Sequence, residues 1–241
     1  MRNIWTLELK KLHSKSMYAF LAIFIVFTVL DNIIYIRLNV GKPDLLVGNF
    51  GLSLFLTQLY FIYLASISIT SDFHLGTSKS IYTGTSSRIK ILQMKAEFLL
   101  CLCVTLALLN VVIGGSIELM STSRLDVTQL FSDFIQLIFV YGLYMGSLYA
   151  FSVLLSALFL NKFYLIICNY IAFIFIGELA AQAMDRGSVE MKNVMESMPF
   201  YVVTNGFNQL HYSFSSVIVL IIFCSVSYSV GIIIFHKRDL I

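Results

Sequence analysis

The chain has 241 residues, 59% of them hydrophobic and only 12% charged, with a mean hydropathy of +0.87 and a formal charge of +3. Soluble domains carry roughly 25% charged residues, so this composition excludes one and points to an integral membrane protein. The small net charge does not point to nucleic acid. At about 20 apolar residues per crossing, the length holds six spans in one transmembrane domain, residues 1–241, with modest loops.

Arg2, Lys10, Lys11 and Lys15 precede the first apolar run, like the basic start of a signal peptide. That run, 16–36, is longer than a signal-peptide core and has no small-residue cleavage site, which predicts a retained signal-anchor helix. Upstream, Ile4, Trp5, Leu9 and Leu12 fall on one side of a helix, and Thr6, Lys10 and His13 on the other. Residues 1–15 are therefore predicted as an amphipathic interfacial helix, with Trp5 at headgroup depth and Lys10, Lys11 and Lys15 toward anionic lipid.

Apolar runs predict spans at 16–36, 50–70, 97–117, about 131–160, 163–183 and 214–235. Alternate loops hold eleven Lys and Arg against five on the other side. By the positive-inside rule both termini and the 71–96 loop are expected on the cytoplasmic side. In the fourth span Gly142, Gly146 and Ala150 form a small-residue row that admits a close helix, either within the subunit or across a dimer seam. Asn161 and Lys162 leave only a tight turn, so spans four and five form an antiparallel hairpin.

The outer loop 184–213 is unusually apolar. Met191, Val194, Met195 and Met198 recur at helical spacing, predicting a short amphipathic helix that Pro199 stops. Phe200, Tyr201, Val202, Val203 and Phe207 continue apolar beyond it, so this segment is expected to re-enter the outer leaflet or cap a cavity, with adaptable Met side chains as a lining.

The chain contains no G-x-x-x-x-G-K-[ST], HExxH or GxSxG, and its four histidines are scattered. No catalytic, metal or nucleotide site is expected in it, so any energy source comes from a partner or an ion gradient. The four cysteines, Cys101, Cys103, Cys168 and Cys224, fall in spans as small apolar fillers. Asp31 and Asp133 fall near the outer boundary, where water is expected to solvate them. Glu178 lies deeper, just after Gly177, and is a candidate for a polar pathway, a partner helix or a helix break, because a charge in hydrocarbon costs about 2.5–3.5 kcal/mol.

Between the second and third spans lies a polar, basic, glycine-punctuated stretch, 71–95, expected to face only water or a soluble partner. It carries Asp72, then Gly76–Thr77, Ile81–Tyr82, Ser87–Arg88 and Lys95. In that order it resembles the type-two permease family of ATP-binding-cassette (ABC) exporters, which has an acidic residue, a Gly-Thr pair, an apolar turn, a Pro/Ser-Arg element and a lysine opening the third span. The family's proline is absent, with Thr85 or Ser86 near its place, and its acid is usually Glu. The basic amphipathic start and the closing Phe235-His-Lys-Arg-Asp-Leu are similar too.

The resemblance implies an all-α membrane fold and a permease that dimerises with an identical or homologous chain. ATP and Mg would be bound by separate ABC-type ATPase subunits. A coupling helix within 71–95 would dock into them, through polar Asp72, His74, Lys79, Arg88 and Lys90 and the apolar Phe73, Ile81 and Tyr82 around Gly76 and Thr77, in the manner of interface anchors. Compact permeases of this kind resemble exporters of amphipathic peptides, including phenol-soluble-modulin and bacteriocin self-protection systems. Two other readings stay open: a sensor or immunity protein that binds toxic peptide without pumping it, and an ion-coupled carrier centred on Glu178.

Overall fold

A computed structural model describes residues 15–38, 51–74, 88–122, 127–159, 161–186 and 189–237. The interfacial helix expected before Lys15 and the loop positions Gly76, Thr77, Lys79, Ile81 and Tyr82 lie outside these residues. Every regular element among the described residues is helical. Six helical segments are long and apolar enough to cross a membrane, and the chain is an all-α, multi-pass membrane protein.

The first four spans are α1 (Lys15–Leu38), α2 (Leu52–His74), α3 (Arg88–Thr122) and α4 (Val127–Leu158). The fifth is composite: α5 (Lys162–Tyr170), a π-helical turn (Ile171–Phe175) and α6 (Ile176–Arg186). Two short helices follow, α7 (Val189–Glu196) and α8 (Pro199–Asn208), before the last span, α9 (Phe214–Lys237). The end of the bundle where α1 starts and α9 finishes is called here the near end, and the opposite one the far end.

α4 is the central post. It packs against α9, α3 and α2, and Leu137, Val140, Tyr141, Tyr144, Leu148 and Val153 are buried along it. α1 and α9 are peripheral and keep many apolar side chains exposed, which suits helices surrounded by lipid rather than by protein. Polar side chains inside the bundle are used locally or between helices. Thr57, Thr70 and Ser147 donate to the carbonyls four residues back, while Asn169 donates to Ser66 at 3.0 Å and Ser152 at 2.8 Å, joining three spans. In a medium without water, such internal satisfaction is required.

At the α4–α5 turn the Asn161 side chain accepts from Phe163 N at 2.9 Å and caps α5, as expected for this residue type. The tight hairpin predicted there is present.

The third span differs from its predicted limits, 97–117. It starts at Arg88 and runs 35 residues, about 52 Å at 1.5 Å per residue, well beyond a hydrocarbon core of about 30 Å. Residues 88–95 of the basic stretch thus belong to this helix. Ile91, Leu92 and Met94 are buried on it, and so is Lys95, at 1% exposure. The expectation that the whole 71–95 stretch faces water or a soluble partner fails at these residues, because apolar side chains at helical spacing carry the helix past Lys90.

Candidate functional site

Two features could do work in a membrane: an aromatic plug built by α8, and the tied ends of α2 and α3. The plug follows from proline chemistry. Pro199 opens α8 at its first turn rather than only stopping the preceding helix. Its fixed φ suits N1, where a missing N–H costs nothing. α7 ends at Glu196, with Ser197 and Met198 making the turn.

α8 then lies inside the bundle, with Tyr201, Val202, Val203, Thr204, Gly206 and Phe207 buried. Phe200 packs edge-on to Phe151 and Phe173, each 5.3 Å between centroids, and to Phe223 at 5.5 Å. Phe207 meets Tyr144 at 4.3 Å, Tyr141 at 5.5 Å and Phe61 at 6.3 Å. Aromatic pairs are worth about 0.5–1.5 kcal/mol each beyond burial, so α8 is anchored at both ends.

Its exit is fixed as well. His211 N donates to Gly206 O and Leu210 N to Phe207 O, the two bonds of a Schellman cap, with Leu210 at φ 51°. Glycine normally takes that left-handed position. Here Leu210 is buried, and its carbonyl accepts from Gln136 Nε2 at 2.7 Å.

Gly206 lies so close to Tyr212 that an added Cβ would stand 2.1 Å from the ring, while the Tyr212 hydroxyl donates to Val203 O at 2.9 Å. Burial, with smaller contributions from Tyr144 and Cys224, pushes the Tyr212 phenol well above its ordinary pKa. α8 touches the fifth span through Thr204, whose hydroxyl donates to Phe173 O in the π turn. An added Cβ on Gly177 would meet Thr204 Oγ1 at 2.6 Å.

At the near end Lys95 donates to Ser68 O and Tyr149 to Leu92 O at 2.6 Å. The ammonium is held at the end of the α2 span, two turns into α3. These bonds join α2, α3 and α4 directly behind the segment predicted to dock.

The remaining sequence-predicted positions fall in several places. Asp72, Phe73 and His74 form the last turn of α2, Arg88 opens the first turn of α3, and Lys90 is exposed in that same turn. Glu178 is in the first turn of α6, exposed, directly after the π turn. It shares the outside of the chain with Ile171, Phe175 and Leu179. Met191 lies in α7, and Met195 and Met198 pack half-buried against the core.

Gly142 and Ala150 are packed within the chain, but an added Cβ at Gly146 would meet open space. Gly146 and Ala150 floor a groove of about 560 Å³ between α3 and α9, edged by Gln93, Glu97 and Tyr228. Lys15 is the first residue of α1. All four cysteines are free.

Asp31 corrects an expectation. It is not an interfacial charge in water but is buried at 1% exposure, one carboxylate oxygen accepting from Ser53 N at 2.9 Å in the first turn of α2. Sequence distance hides this contact, since the two residues stand 22 apart.

No protein-family model matches the sequence, and no curated protein matches it either. The class defined by the fold is therefore a multi-pass α-helical membrane protein with an internal helical plug between its last two spans.

Proposed function

We propose that this chain is the membrane-spanning subunit of an ATP-driven exporter, working with a second permease chain and with separate ABC-type ATPase subunits that bind ATP and Mg. The observation that carries this reading is the bond from Lys95, at the end of the 71–95 stretch, to Ser68 O. A force applied to the segment between His74 and Arg88 is delivered to two helices that move together, and through Tyr149 to the central α4. Such an arrangement suits a segment pushed by a partner. The near end, with both termini, would then face the cytoplasm of a bacterial plasma membrane.

Glu178 supports a second permease chain. An exposed carboxylate on a membrane span costs about 2.5–3.5 kcal/mol against lipid, and a partner's face or a polar path between two chains removes that cost. The cargo in this reading is hydrophobic or amphipathic, a peptide by preference, because the faces left open are aromatic and aliphatic with few charges. The plug formed by α8 would close the path at the far end until the ATPases drive it open.

The test is co-purification from native membranes with ATPase activity measured in lipid nanodiscs. Wild type brings down an ABC-type ATPase whose hydrolysis rises with amphipathic peptide. Arg88→Glu with Lys90→Glu loses the ATPase while keeping the fold. A chain that confers peptide resistance without any ATPase partner would instead be a sensor or immunity protein.

A further inference from the structure

Asp31 presents a problem of charge that the fold alone does not solve. Its Oδ2 accepts from Ser53 N, but among the described residues its Oδ1 has no hydrogen-bond partner, and the residue is 1% exposed. Three more oxygens around it are in the same condition: Thr28 Oγ1, Asn32 Oδ1 and Ser53 Oγ, on residues no more than 1% exposed. Thr28, Asp31 and Asn32 share one face of α1 at i, i+3 and i+4, and the Asp31 bond brings Ser53 of α2 to that face.

The Asn32 amide nitrogen is already committed to Thr28 O at 2.8 Å, which leaves its oxygen as an acceptor. A buried, unpaired carboxylate is neutralised either by a proton or by a cation. A proton on Asp31 would serve one acceptor and leave the rest of the cluster unsatisfied. A metal ion serves all four oxygens at once. Oxygens sharing a cation at roughly 2.4 Å stand about 3.4–3.9 Å apart, so a shared ion would satisfy them without hydrogen bonds to one another.

We propose that Thr28, Asp31, Asn32 and Ser53 bind a monovalent metal cation of sodium's size that ties α1 to α2 at the far end. Alcohol, amide and carboxylate oxygens suit hard cations, and the absence of sulfur or imidazole excludes softer metals. One formal negative charge in the set, partly engaged by the positive N-terminus of α2, matches a single positive charge better than two. The inference stands independently of the exporter reading, because it concerns how two spans are held.

The experiment is thermal unfolding of the purified full-length chain in nanodiscs, in sodium chloride against choline chloride at equal ionic strength. Sodium is expected to raise the midpoint saturably, as any ligand of the folded state does. Asp31→Asn keeps an acceptor for Ser53 N and should abolish the response. Thr28→Val leaves both the carboxylate and the cap in place, and should raise the half-saturating sodium concentration by about tenfold, in the range seen when groups supporting a metal are removed.

Equal midpoints in the two salts would overturn the proposal, as would a sodium response unchanged in both variants. A response to micromolar calcium but not to sodium would overturn the monovalent assignment. A midpoint indifferent to cation that moves with pH in wild type but not in Asp31→Asn would mean a proton occupies the site instead.

Discussion

The hydroxyl of Thr204 on α8 donates to the carbonyl oxygen of Phe173 in the π turn of the fifth span. π turns loosen a helix's own hydrogen-bond ladder and occur often at functional positions. An outside donor therefore both satisfies the turn and attaches the plug to it. Thr204→Val keeps the shape but leaves that carbonyl without its donor, at an expected cost of about 1–3 kcal/mol. Thr204→Ser restores most of it. Thermal midpoints in nanodiscs check the order wild type, Ser, Val.

Gly206 tests the plug from its other side. The Tyr212 ring fills the space of the missing side chain and is held by its bond to Val203. Gly206→Ala forces the ring out, an overpacking cost of about 1–3 kcal/mol. Combining it with Tyr212→Leu should recover part of the loss. Full additivity of the two changes would show that they do not touch.

Tyr212 also sets an alkaline limit. Its phenol is pushed well above the ordinary value by burial, so the unfolded chain loses this proton first as pH rises. The stability it contributes is complete below pH of about 10 and is lost above it. Tyr212→Phe is expected to flatten the alkaline fall in stability by up to one proton, about 1.4 kcal/mol per pH unit. Denaturation midpoints between neutral and strongly alkaline pH measure the slope.

Much of the architecture is legible in the sequence, because hydrocarbon demands long apolar runs and six of them are present. The start of α3 is not. Arg88, Lys90 and Lys95 look like a water-exposed stretch until Lys95 is seen to find Ser68 O, a tertiary contact that no local pattern announces. The π turn is equally silent, since Ile171–Phe175 reads as any apolar span. Pro199 is ambiguous by nature: the residue that stops one helix starts the next, and burial of the residues after it decides the matter.

Glu178 carries a prediction about assembly. Cysteines placed at Phe175 and Glu178, in turn, should cross-link one copy of the chain to another in membranes, since both positions lie on the outside of this chain. Cysteine at Phe139, exposed on α4, serves as a control on a different helix. Cross-linking only at Phe139 would place the second chain elsewhere.

The central claim is that force enters at the segment behind which Lys95 joins α3 to α2. Lys95→Met keeps the length of the side chain and removes its charged donor, a contact of the kind worth about 1.5–3 kcal/mol. The decisive measurement is peptide-stimulated ATP hydrolysis by the co-purified complex in nanodiscs, for wild type and Lys95→Met side by side. The account predicts that the ATPase still co-purifies with Lys95→Met while its stimulation by peptide is lost. Undiminished stimulation, or the absence of any ATPase with wild type, would contradict it.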